Sequence, residues 1–93
     1  MRIGIIGAGQ LGQMLGFAAR ELGVECRFLD PSDAPPAAVC GEVIRKPFDD
    51  AEALAELAET CDVVTYEFEN VPVEALHEIE YKVPVYPPAD ALR

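Results

Sequence analysis

Ninety-three residues, about half of them apolar, make one small domain with the means to build a core, although a chain this short buries a smaller share of its surface than a longer one. Seventeen acidic against seven basic residues leave a formal net charge of −10, a balance that repels phosphate backbones and anionic lipid and argues against nucleic-acid and membrane-surface roles. Most of that charge falls on two predicted helices, 50–60 and 72–80, where it also serves solubility.

The first element predicted is a short strand, Ile3 to Ile6, buried on both faces. It is interrupted by Gly4 and ends at Gly7, so it reads as neither a signal peptide nor a membrane span. Gly7, Gly9 and Gly12 then fill the three places of G-x-G-x-x-G. An apolar stripe follows at helical spacing: Leu11, Met14, Leu15, Ala18, Ala19 and Leu22. Strand, glycine turn and helix together form the context that lifts this pattern above a chance match. Gly7 permits a tight turn, Gly9 admits an oxygen-rich group close to the backbone, and Gly12 lets helix approach strand. Unsatisfied N–H groups and the helix dipole favour an anion there. A phosphate or carboxylate ligand is therefore preferred over a turn that only packs helix on sheet.

Val24 to Leu29 is predicted as the second strand, with Val24, Cys26 and Phe28 on one face and Glu25 and Arg27 interrupting the other. Pro31 to Ala38 is a loop with at most one helical turn, because Pro35 and Pro36 remove backbone donors. Glu42 to Lys46 is a short polar edge strand. Phe48-Asp49-Asp50 opens a helix in which Asp49 and Glu52 have capping-box spacing, and Leu54, Leu57, Ala58 and Cys61 point inward. Asp62 to Tyr66 is β-branched and apolar, hence a central strand. Helix signals return at Val71-Pro72, with Val73, Leu76 and Ile79 inward. Val83 to Tyr86 is a fifth strand, placed at an edge by Pro84, and Ala89 to Arg93 is a last helical turn. Cys26, Cys40 and Cys61 form no C-x-x-C pair, and one histidine gives little help to a metal site; reduced thiols in a cytoplasmic protein follow.

Strands alternating with helices at these lengths imply an α/β fold, a doubly wound parallel sheet of about five strands in the order 3-2-1-4-5. Ligands of such sheets bind beyond the carboxyl ends of the strands, where the winding reverses. That point lies between strands 1 and 4, flanked by Gly7–Gly12 and by Tyr66–Asn70. Glu67, Glu69 and Asn70 follow a buried strand directly, and carboxylates there cannot serve the core. Three roles compete: capping of the next helix, binding of ligand hydroxyls or an amine, and metal ligation, the last being the weakest for two carboxylates. Asn70 is assigned mainly to capping and Glu67 or Glu69 mainly to ligand. A rival dinucleotide reading takes Asp30, eighteen residues after Gly12, as the acid for an adenosine ribose of NAD. Pro31 and the prolines beyond it crowd that space.

With these residues in hand, the chain resembles the N-terminal domain of N5-carboxyaminoimidazole ribonucleotide synthase, the ATP-dependent subunit of phosphoribosylaminoimidazole carboxylase in purine synthesis. The matching residues are Gly7 to Met14, Asp30-Pro31, Ala37-Ala38 and, most specific, Thr65-Tyr66-Glu67-Phe68-Glu69-Asn70-Val71-Pro72. The resemblance spans essentially the whole chain. It implies that residues 1–93 form a pre-ATP-grasp, Rossmann-like domain that cradles substrate, with an ATP-grasp domain and a small C-terminal domain belonging to the rest of a longer polypeptide. The reaction implied joins bicarbonate and ATP into carboxyphosphate, which carboxylates the amine of aminoimidazole ribonucleotide. Mg²⁺ and the catalytic residues would come from outside this chain, which alone is expected to be inactive. Gly9, Gln10 and Leu11 would face the ribonucleotide, chiefly through backbone N–H groups, with Glu67, Glu69 and Asn70 on the opposite wall. Arg93 matches a position from which the family presents an arginine to ATP. Where the family often has Arg this chain has Gln13, so a phosphate contact from that position is not carried over. A cytoplasmic homodimer is implied for the full-length protein. The alternatives kept beside this are an NAD(P)-binding oxidoreductase domain and a non-enzymatic nucleotide-sensing module.

Overall fold

The computed structural model describes residues 1–66 and 73–86. Four parallel strands, β1 (Arg2–Ile6), β2 (Glu25–Leu29), β3 (Glu42–Ile44) and β4 (Val63–Tyr66), stand in the order β3-β2-β1-β4. Helix α1 (Gln10–Glu21) links β1 to β2, a 3₁₀ turn (Pro36–Val39) precedes β3, and α2 (Ala51–Thr60) crosses from β3 to β4. Helix α3 (Val73–Glu80) follows. This is the doubly wound arrangement expected. The fifth strand is not seen: Val83–Tyr86 contributes an isolated parallel bridge, Val85 beside Val64. Val64 N–H donates to Pro84 O at 2.9 Å and Tyr86 N–H to Val64 O at 2.9 Å. Pro84 supplies only an acceptor, so the ladder cannot extend on its amino side, and one bridge is all the pairing of this segment among the described residues. In the four-stranded sheet β4 is therefore terminal rather than central. The last predicted helical turn lies outside the described residues.

The period-two alternation of the strands separates two cores. On one face Ile6, Leu29 and Val64 pack with Leu54, Leu57, Ala58 and Cys61 of the α2 region and with Leu76 and Ile79 of α3. On the other, Ile5, Cys26 and Phe28 pack with Ala19 of α1 and Ala37 of the 3₁₀ turn. The inward stripe predicted for α2 is buried as a whole. Its cap differs from the prediction: Asp50, not Asp49, is the N-cap, accepting from Ala53 N–H at 2.9 Å.

Helix α1 corrects the sequence reading more deeply. Its buried residues are Gly12, Gly16 and Ala19, whereas Leu11, Met14, Leu15 and Leu22 are exposed, Met14 by 67% and Leu22 by 79%. The stripe of large apolar residues marks the helix but not its packed side. At 100° per residue Gln13 and Arg20 share one flank, and they donate to Pro36 O at 3.1 Å and Val39 O at 2.7 Å. Leu11, Leu15 and Leu22 occupy the other flank. Small residues face the sheet because the helix lies too close for anything larger: a Cβ on Gly16 would stand 2.6 Å from Cys40 Cβ.

Candidate functional site

The parallel register matches Ile6 with Tyr66 as the last pair of β1 and β4. The chain leaves the sheet at these two positions side by side, so the glycine turn and the segment beginning at residue 67 start from one point on the carboxyl edge. Glu67, Glu69, Asn70 and Arg93 lie outside the described residues. The structure thus places Gly9, Gln10 and Leu11, and it places the strand end from which the acidic loop departs.

The turn is held by three backbone anchors. Gly7, at φ 111°, has a conformation that suits glycine, and its N–H donates to Leu29 O at 2.8 Å. Ala8 is fully buried; its N–H donates to Asp30 Oδ2 at 2.8 Å, and its carbonyl accepts from Ala37 N–H at 2.9 Å. Gly9 is the N-cap of α1 in extended conformation, with no side-chain cap, and the first turn carries no acidic residue. The N–H groups of Gln10 and Leu11 have no acceptor within the helix, because they belong to its first turn. A helix start whose N-cap glycine offers no side chain, next to the exit of β4, suits an oxygen-rich anion at the Gln10 and Leu11 N–H groups. Gln10 and Leu11 are exposed. Gln13 is turned to the 3₁₀ turn through Pro36 O.

Asp30 directly follows β2, where a dinucleotide reading places its acid, but its carboxylate is engaged within the protein. Its carboxylate is buried, 8% exposed. Oδ2 accepts from Ala8 N–H and Oδ1 from Ser32 N–H, both at 2.8 Å. Both oxygens are engaged by the protein's own backbone, which leaves neither turned to a ribose. Sequence reasoning missed this clamp, since its partner lies 22 residues away with no local signal.

At the end of β4, burial pushes the Tyr66 phenol up from its ordinary pKa, with a smaller push from Glu80. Its hydroxyl is buried and has no hydrogen-bond partner among the described residues. Among the described residues no cluster of three His, Cys, Asp or Glu could hold a metal, and no helix is long and apolar enough to cross a membrane. A surface cavity of about 410 Å³ opens at the opposite, amino ends of the strands, beside Arg2, Arg20 and Arg27. These guanidinium groups are engaged already: Arg2 with Glu25 at 3.0 Å, Arg20 with Val39 O, and Arg27 with Glu42 and Glu56. That cavity is far from the carboxyl edge, and two of its three guanidinium groups, Arg2 and Arg27, are already paired with carboxylates.

A family model, that of the ribonucleotide synthetase preATP-grasp domain, matches residues 1–93. The chain is 50% identical over 93 residues to N5-carboxyaminoimidazole ribonucleotide synthase of Pseudomonas aeruginosa, covering all of this chain and 26% of that protein. Among solved structures it is similar to N5-carboxyaminoimidazole ribonucleotide synthetase from Thermus thermophilus, with a TM-score of 0.91 and 53% identity over 97% of this chain and 25% of that one. The Staphylococcus aureus N5-carboxyaminoimidazole synthetase complexed with ADP matches with a TM-score of 0.94 and 39% identity, over 98% of this chain and 25% of that one. The chain spans about a quarter of the length of these relatives.

Proposed function

The chain belongs to the ribonucleotide synthetase preATP-grasp domain family, and from that premise we propose that it is the N-terminal, substrate-cradling domain of an ATP-dependent ligase. That ligase carboxylates 5-aminoimidazole ribonucleotide with bicarbonate to N5-carboxyaminoimidazole ribonucleotide in purine biosynthesis. The observation that carries this reading is the start of α1 on a glycine N-cap beside the end of β4, where Ile6 pairs with Tyr66. Gln10 and Leu11 N–H groups, with Gly9 leaving room, meet the phosphorylated end of the ribonucleotide. Glu67, Glu69 and Asn70 form the opposite wall. ATP and Mg²⁺ are bound mainly by the remainder of the longer polypeptide, with Arg93 reaching ATP from the junction, and this chain alone is inactive. The protein works in the cytoplasm. The full-length enzyme is a homodimer, for which the exposed flank of Leu11, Leu15 and Leu22 is a fitting surface.

The test is kinetic. In the full-length ligase, Glu67→Ala or Glu69→Ala raises KM for the ribonucleotide with the fold intact by circular dichroism. An unfolded variant would make that carboxylate structural and remove it from the site.

A further inference from the structure

Asp30 is the one buried charged side chain among the described residues. Withdrawing a carboxylate from water is costly unless its oxygens are bonded, and here each oxygen takes one backbone N–H at 2.8 Å. Bonds of this charge-assisted kind are roughly twice as strong as neutral ones. One of them goes to Ala8, which sits between Gly7 and Gly9. A peptide flanked by two glycines has wide conformational freedom, and the bond from Ala8 N–H removes it. Together with Gly7 N–H on Leu29 O and Ala37 N–H on Ala8 O, it ties the turn to the end of β2. Helix α1 begins two residues later, so the position of Ala8 sets where the N–H groups of Gln10 and Leu11 stand.

We propose that Asp30 is a positioning residue for the ribonucleotide: acting through Ala8 and without touching substrate, it fixes the glycine turn at the height where the first N–H groups of α1 meet the phosphate. The inference rests on the cradle reading above. It gives the carboxylate at the end of β2 a task unlike ribose binding, and it explains why a charge is kept in a place where water is excluded.

Three variants of the full-length ligase test it. Asp30→Ala removes both acceptors. Asp30→Asn keeps a carbonyl oxygen for Ala8. Asp30→Glu keeps both oxygens but displaces them by one methylene. Asp30→Ala and Asp30→Glu are expected to raise KM for the ribonucleotide by about tenfold or more, since a misplacement of about 1 Å in a binding site can cost as much as about a hundredfold. In both, kcat and KM for ATP stay within about twofold of wild type, because the interaction lost is made in the ground state and the transition state alike. Asp30→Asn restores KM to near the wild-type value. The Ala8 amide proton resonance shifts in the first two variants and returns toward its place in Asp30→Asn. A merely structural role would lower Tm and leave KM alone. If Asp30→Ala does not fold, Asp30→Glu carries the test, and an unchanged KM with a displaced Ala8 resonance overturns the proposal. A separate measurement on the wild type isolates the cradle itself: saturating ribonucleotide should shift the Gln10 and Leu11 amide resonances. If they stay still, the cradle reading fails and this proposal with it. If they shift while KM is indifferent to Asp30, only the role of Asp30 is overturned.

Discussion

Gly16 of α1 faces Cys40 so closely that a Cβ added to it would lie 2.6 Å from Cys40 Cβ and 3.1 Å from its Sγ. The Cβ atom cannot swing aside as the end of a long side chain would, so the helix or the segment behind the 3₁₀ turn must move. Gly16→Ala gains about 1 kcal/mol of helix propensity, while overpacking of this kind costs about 1–3 kcal/mol. The second effect wins, because the clash lies between atoms one bond from the backbone. Gly16→Ala is expected to lower the urea midpoint of the chain; an unchanged or raised midpoint would mean that α1 floats more freely over the sheet than the contact implies.

The two sides of the apolar inventory differ in the same way. Leu57, fully buried between α2 and the sheet, stands against Gly4, where an added Cβ would be 2.8 Å from Leu57 Cγ. Leu57→Ala is expected to cost about 2–5 kcal/mol, a large part of what so small a domain has. Met14→Gln and Leu22→Gln, on the exposed side of α1, should stay within about 0.5 kcal/mol of wild type. Denaturant titration of the three variants checks the contrast. A large loss at Met14 or Leu22 would show that these residues are packed in solution.

How far the fold was legible follows from the same residues. Leu54, Leu57, Ala58 and Cys61 pack with their bulk toward the sheet, so periodicity read α2 correctly. Helix α1 packs by absence of bulk, and a hydrophobicity pattern points away from its contact face. The signal that could have found that face is Gly12, Gly16 and Ala19 at spacings of four and three. Val83 to Tyr86 reads as a fifth strand, and Val83 and Val85 are buried, but one bridge suffices to bury both and nothing in the pattern counts ladder bonds. Of the site, the glycine turn was legible because its constraint is local. The clamp of Asp30 on Ala8 was not, since only the parallel pairing of β1 with β2 brings them together.

Burial sets the behaviour of the thiols. Cys26 and Cys61 are buried and unpaired. Burial pushes both thiols up; nearby Cys40 and then Cys61 add to the effect at Cys26, and a bond with Thr60 opposes it at Cys61. A thiol in the unfolded chain ionises near pH 8.5. Above that pH the unfolded state sheds protons that the native state still holds, so stability falls as pH rises, and below it this contribution is flat. The urea midpoint is expected to drop between about pH 8 and 9.5, and the drop should shrink in a Cys26→Ala, Cys61→Ala double variant. Equal slopes for the two proteins would assign the alkaline loss to other groups.

Ligand binding by the 93-residue chain separates the readings of its glycine turn. A dinucleotide domain needs an acid free at the end of β2, and Asp30 spends both oxygens on Ala8 and Ser32. The carboxylate is buried and turned inward onto those two N–H groups, so it does not face a ribose in the solvent beyond the strand ends. Isothermal titration with NADH should therefore show no binding tighter than about 1 mM, which corresponds to only about 4 kcal/mol. ATP and the ribonucleotide should also bind the isolated chain weakly, because a cradle supplies one wall and a few N–H groups. A nucleotide-sensing module would instead hold its ligand tightly without help. Micromolar NADH affinity would overturn the cradle reading, and tight ATP binding by the isolated chain would contradict the assignment of ATP to the rest of the polypeptide.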